Sequence, residues 1–144
     1  MRGISFKAKR LDNKEWIEGD LIGNAFYRCD TESDCCYILN YGKMKYYDFQ
    51  DIWEQLDEYE VDPETISEYI NFKDRDKTPV FTNDIVEFLY YDEFWDSNLY
   101  TGFIYKGEGC YKISTRASVF YINESIDINK VIGNKFDNAE LLGE

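Results

Sequence analysis

The sequence predicts a mainly β domain: antiparallel hairpins forming a small, partly open, barrel-like fold with one amphipathic helix, and α+β as the alternative class. Aromatic residues make up 18% of the chain, with 13 Tyr and 10 Phe, a composition that suits the half-buried surface of pleated strands. Apolar and polar residues alternate with period two in several separate stretches, the signature of strands with one face buried. Clusters of Asn, Asp, Gly and Pro punctuate those stretches at hairpin spacing. A chain of 144 residues buries roughly 70% of its unfolded surface, enough for a core without a metal or disulfide staple. No linker, internal repeat or low-complexity run interrupts it, so the expectation is one domain over 1–144.

The elements follow in order. In GISFKAKR (3–10), Ile4, Phe6 and Ala8 oppose Ser5, Lys7 and Lys9, which reads as a strand. Leu11–Lys14 offers turn chemistry, and EWIEGDLIG (15–23) returns as the second strand of a hairpin. CCYIL (35–39) is a short strand candidate, with a turn at Asn40-Tyr41-Gly42. DFQDIWEQLDEYE (48–60) is the one clear helix: Phe49, Ile52, Trp53 and Leu56 share a face, Asp48 suits the cap and Asp51 the first turn. Val61-Asp62-Pro63 ends it, because the residue before proline avoids helical angles. ETISEYINF (64–72) suits a strand moderately. PVFTNDIVEFLYY, from Pro79, is strand-rich, with a bulge expected near Asn83-Asp84. DEFWDSN (92–98) reads as a polar connection. LYTGFIYKGEGCYKIST (99–115) reads as a hairpin turning at 106–109. Residues 116–130 are ambiguous. VIGNKFD (131–137) is a last short strand, and Asn138 is placed to cap a final turn, AELL.

Charge excludes one class of partner and suggests another. The net charge is −13, unevenly placed. Residues 1–28 carry six basic and four acidic groups; residues 29–70 carry two and twelve; residues 71–144 carry eight and thirteen. A nucleic-acid binder lines the phosphate path with cations, so this balance argues against direct nucleic-acid binding. The acidic middle suits either a solvated surface or a basic partner, including a host DNA-binding protein blocked by DNA mimicry. On the predicted helix, Asp51, Glu54 and Glu58 lie opposite the apolar stripe and are the candidate acidic interaction face. No stretch approaches the roughly 18 consecutive apolar residues of a membrane helix. The start of the chain lacks a signal-peptide core, so the expected location is the cytoplasm.

Residue types restrict the chemistry further. The chain has no histidine, which removes the usual Ser-His-Asp and Cys-His nucleophile systems and histidine-ligated zinc. Cysteines at 29, 35, 36 and 110 lack the CxxC spacing of structural zinc sites and read as small buried hydrophobes. Asp92, Glu93 and Asp96 lack the order of an EF-hand loop. Neither glycine-rich nucleotide fingerprint is present. No catalytic residue, metal site or cofactor is therefore assigned. Any enzyme reading must rest on carboxylates, tyrosine, lysine or a borrowed metal acting on nucleotides.

Three blocks, MRGISFKAKRLDNKEWIEGDLI, VDPETISEYINFKDRDKTPVFTNDIVEF and VIGNKFDNAELL, taken together resemble the YopX family of phage and prophage proteins. MRGISFKAKRLDNKEWIEGDLI is similar to the family's opening, M-R-x-I-x-F-R-A-W followed by K-x-W and G-D-L/I. VDPETISEYINFKDRDKTPVFTNDIVEF resembles its central block of V-x-P-E-T-I, a K-D-x-x-G-K turn and I-Y-E-G-D-I-V. VIGNKFDNAELL resembles the closing V-I-G-N-I-Y-E-N-P-E-L-L. Departures include Lys7 and Lys9 in place of Arg and Trp, Ala139 in place of Pro, and the loss of two glycines, at Asp76-Lys77-Thr78 and at Thr82-Asn83. Those losses suggest altered turn angles, with Asn83 able to tolerate a left-handed conformation. The resemblance implies a phage-encoded cytoplasmic protein with a mainly β, barrel-like fold and supplies no reaction. The matching positions Pro63, Glu64, Thr65, Asp74, Asp84, Gly133 and Asn134 are expected to be structural, since turns and strand ends require these residue types. The function expected is a non-enzymatic protein-interaction module; exposed strand edges and aromatics are compatible with homo-oligomerisation.

Overall fold

The computed structural model describes residues 5–23, 36–39 and 59–143. The chain forms two compact units, Met1–Glu68 and Tyr69–Glu144. The described residues are mainly strand, arranged in antiparallel sheets that do not close into a barrel. The expected class holds; the barrel-like closure gives way to open sheets.

In the first unit, β1 (Phe6–Lys9) and β2 (Trp16–Gly23) form the predicted hairpin, with Phe6 opposite Gly19 and Lys9 opposite Trp16. Its turn is closed by Arg10 N–H to the Glu15 carbonyl at 2.9 Å and Lys14 N–H to the Arg10 carbonyl at 3.0 Å. β3 (Cys36–Leu39) pairs with β2, and the two-residue β4 (Glu60–Val61) pairs with β3. The period-two reading explains the core: Ala8, Ile38 and Val61 are fully buried together, with Phe6, Ile17, Leu21, Cys36 and Ile66 against them. On β1 the opposite parity places Lys7 and Lys9 over the Trp16 ring, at 5.1 and 5.7 Å from its centroid.

Most of the predicted helix 48–60, including Asp51, Glu54 and Glu58, lies outside the described residues. Its end is corrected, because Glu60 already belongs to β4. The strand expected over 64–72 also starts later. Pro63–Thr65 is a 3-10 turn, with Asp62 as its cap, accepting from Glu64 N–H, and Pro63 at the first position. Proline's fixed φ and missing donor suit that position. β5 (Ser67–Lys73) follows, pairing at Ser67 and Glu68 with β1.

In the second unit, β5 continues from Tyr69 and pairs with β6 (Pro79–Phe81). The larger sheet runs β10-β9-β8-β7-β11: β7 is Asp84–Tyr91, β8 Ser97–Lys106, β9 Tyr111–Ser114, β10 Val119–Tyr121 and β11 Ile126–Asn134. β8 and β9 are the predicted hairpin, and β7 and β8 pair over seven residues from Ile85 opposite Phe103 to Tyr91 opposite Ser97. One face of this sheet, with Ile70 and Val80, makes the core: Val86, Phe88, Ile104, Ile113, Ile126 and Ile128. Phe120 closes it, its ring 5.0 to 5.3 Å from those of Phe88, Tyr90 and Tyr100. Each such aliphatic or aromatic side chain contributes about 1.5–3 kcal/mol by leaving water.

Three further expectations are corrected here. The bulge expected near Asn83-Asp84 is instead a turn, Thr82-Asn83, separating β6 from β7. The last strand is not the short 131–137 but the nine-residue β11, which begins within the stretch read as ambiguous. Its alternation was obscured because its register against β7 shifts between Ile128 and Lys130 and again between Val131 and Gly133. Asn138 does precede the 3-10 turn Ala139–Leu142, but its side chain does not cap that turn. It accepts from Asn134 N–H at 3.1 Å instead.

Candidate functional site

Two connections in the second unit share one backbone design, and comparing them isolates the site. In 74–78, the Asp74 N–H donates to the Thr78 carbonyl at 2.9 Å and Lys77 N–H to the Asp74 carbonyl at 3.0 Å. The Asp74 carboxylate accepts at Oδ1 from Asp76 N–H and Thr78 N–H, both at 2.9 Å. In 92–96 the pattern repeats. Asp92 N–H donates to the Asp96 carbonyl at 2.9 Å and Trp95 N–H to the Asp92 carbonyl at 3.0 Å. Asp92 Oδ1 accepts from Phe94 N–H at 2.9 Å and Asp96 N–H at 3.0 Å. The fourth residue of each is left-handed, Lys77 at φ 69° and Trp95 at φ 64°. Aspartate leads both turns because its short carboxylate reaches its own backbone two residues on.

The outer side chains differ. The 74–78 turn presents Asp76 and Lys77. The 92–96 turn, at the tip of the β7–β8 hairpin, presents Phe94 and Trp95, 77% and 75% exposed. Trp95 leans toward Tyr91, with ring centroids 6.3 Å apart. Glu93 and Asp96 are exposed beside them. No Lys or Arg occurs in the sequence between Lys77 and Lys106. Arg75 is paired with Asp127, which raises the guanidinium pKa first by its hydrogen bond and then by its charge.

The resemblance-matched positions form hydrogen-bonded frames rather than a cleft. Thr65 is buried; its hydroxyl donates to the Asp62 carbonyl and accepts from Lys9 N–H, both at 2.8 Å, fixing the 3-10 turn of Pro63 and Glu64 to the end of β1. Asp74 is buried and accepts a third bond at Oδ2, from Val131 N–H at 2.9 Å. Burial opposes its ionised form, but the donors of Val131, Thr78 and Asp76 and the charge of Lys130 outweigh that and hold its pKa below the ordinary carboxylate value. Asp84, 1% exposed, accepts from Phe81 N–H at 2.9 Å. It pairs with Asn134 across β7 and β11, beside Gly133. Asn134 Oδ1 accepts from Phe136 and Asp137 N–H at 3.0 Å, closing the turn after β11. Asp84, Gly133 and Asn134 thus meet at one end of the sheet, whereas Thr65 serves the other unit.

Among the described residues, no group of three or more His, Cys, Asp or Glu side chains is placed to hold a metal. Asp92, Glu93 and Asp96 do not converge, since Asp92 is committed to its own turn. A shallow groove of about 310 Å³ lies where Leu99 and Thr101 of β8 meet Thr115, Arg116, Ala117 and the Leu141–Gly143 end of the chain; it brings no carboxylate or thiol. Phe94 and Trp95 were passed over in the sequence as part of a polar connection. Their signal was present nonetheless, as two large aromatics inside an acidic stretch that turn chemistry does not require.

No family model matches the chain, and no curated protein or solved structure matches it.

Proposed function

We propose that the protein is a non-enzymatic protein-binding module, phage- or prophage-encoded and YopX-like, and that the Phe94–Trp95 hairpin tip is its contact surface. The carrying observation is the paired turns. The same backbone is made at 74–78 with Asp76 and Lys77 outermost, so the fold does not require aromatics at 94 and 95. Two large rings held in solvent, one on a left-handed residue that glycine would occupy at lower energy, cost stability without contributing to the core. Exposed aromatic side chains of this kind anchor interfaces. The YopX-like reading is supported by the turns at 77 and 83. Where that pattern has glycine, Lys77 and Asn83 take φ 69° and 73°, so both turns keep a conformation suited to glycine. Asn83 thus takes the left-handed conformation expected of it.

The test uses the internal control. The double variant Phe94→Asp/Trp95→Lys writes the outer residues of the 74–78 turn onto the tip without changing net charge. A partner captured from bacterial host lysate by the parent chain should be lost by the variant while the fold, followed by circular dichroism, is kept. Equal capture by both chains rejects the tip as contact surface.

A further inference from the structure

Given that reading of the tip, the chemistry around it specifies the partner. We infer that the Phe94–Trp95 tip recognises a protein surface consisting of an apolar patch rimmed by Lys and Arg.

The apolar half of the inference comes from exposure and rigidity. Phe94 and Trp95 leave three-quarters of their surface in water. Two main-chain and two Asp92-mediated bonds lock the turn that carries them. A pre-ordered tip loses little further freedom when it docks, which concentrates affinity in a few side chains. A Trp beside a Phe is the usual composition of such a centre.

The basic half comes from charge. Asp92, Glu93 and Asp96 bracket the two rings, and no cation lies in the sequence between Lys77 and Lys106. Arg75, in the preceding turn, is already held by Asp127. Any surface that receives the indole therefore meets carboxylates at its rim. A basic rim gains complementarity and faster encounter. A phosphate backbone is repelled despite the rings available for base stacking, and so is an anionic lipid surface.

The experiment uses the full chain and three probes: an amphipathic helical peptide of Leu and Lys, its counterpart with Glu for every Lys, and phosphatidylglycerol-containing vesicles. The Leu/Lys peptide should bind the parent at least about tenfold more tightly than it binds the charge-neutral Phe94→Asp/Trp95→Lys variant, a difference that corresponds to about 1.4 kcal/mol. Its affinity should fall with salt. A Glu93→Lys/Asp96→Lys variant, with both rings intact, should lose the Leu/Lys peptide and gain the Leu/Glu one. Binding of both peptides alike, still dependent on the rings, overturns the basic rim and leaves the tip as contact surface. Leu/Lys binding indifferent to the loss of both rings overturns the rim and the tip together. Ring-dependent capture by vesicles, or a ring-dependent dimer in sedimentation, assigns the tip to a membrane or to a second copy and overturns the inference.

Discussion

Replacing Asp74 tests the frame that holds β11 in register. Its carboxylate accepts three backbone donors at 2.9 Å, from Asp76, Thr78 and Val131, and is itself 5% exposed. A hydrogen bond to a charged group contributes about 1.5–3 kcal/mol. The Asp76 and Thr78 amides belong to exposed residues and recover water when the carboxylate is removed, whereas Val131 is half-buried. Asp74→Ala should therefore cost about 3–4 kcal/mol rather than the full sum, a large share of the roughly 5–15 kcal/mol that a domain has. Asp74→Asn separates the two oxygens. Its single carbonyl oxygen can serve Asp76 and Thr78, but its NH₂ then faces the Val131 N–H, donor against donor, for a loss of about 2 kcal/mol. Urea titration at neutral pH measures the loss, and amide exchange at Val131 locates it. An Asn variant with an unchanged midpoint and a still-protected Val131 amide would refute the account. The pH dependence has a definite sign. The folded pKa is lowered, so this stabilisation is present above the unfolded value of about 4 and is lost as pH falls through the folded pKa. The gap between parent and Asp74→Asn should narrow on acidification.

Two further outcomes follow from backbone geometry. Lys77→Gly, at φ 69°, should raise stability by about 0.5–1 kcal/mol in thermal melts, and Lys77→Val should lower it by about 1 kcal/mol or more. At Gly133 an added Cβ would sit 2.5 Å from Asn138 Oδ1 and 2.7 Å from its Cγ. Gly133→Ala should therefore expel the Asn138 side chain, break its bond to Asn134 N–H and cost about 1–3 kcal/mol, read as loss of exchange protection at Asn134.

Strands were legible where their own burial alternates along the chain. In β7, Val86 and Phe88 are buried and Glu87 is not, so period two was visible; β1 and the β8–β9 hairpin were legible for the same reason. β11 was not, because its two register shifts change parity, at Asn129 and again at Ile132. Alternation can be read only while the register is constant. Thr65 was misplaced in a strand because the capping Asp62-Pro63 pair forms a local turn that alternation does not report. Asp74 and Asp84 were singled out by the resemblance and read as structural from residue type. Their local donors suit that reading, Phe81 N–H for Asp84 and Asp76 and Thr78 N–H for Asp74; the distant one was not legible, because Val131 lies 57 residues from Asp74 and such a separation leaves no local trace. The hairpin tip was missed because its acidic residues marked it as solvent, which is true of the backbone and not of the two rings.

That separation of 57 residues also has a consequence in time. During synthesis the 74–78 turn leaves the ribosome before β11 does, so Asp74 first waits in water with one oxygen uncommitted. Closing so long a loop carries an entropic cost that a single bond does not repay early. The Asp74–Val131 bond is therefore expected to form late, so that Asp74→Asn should speed unfolding more than it slows folding in stopped-flow measurements. On that outcome the carboxylate serves as a kinetic latch on the edge strand that arrives last.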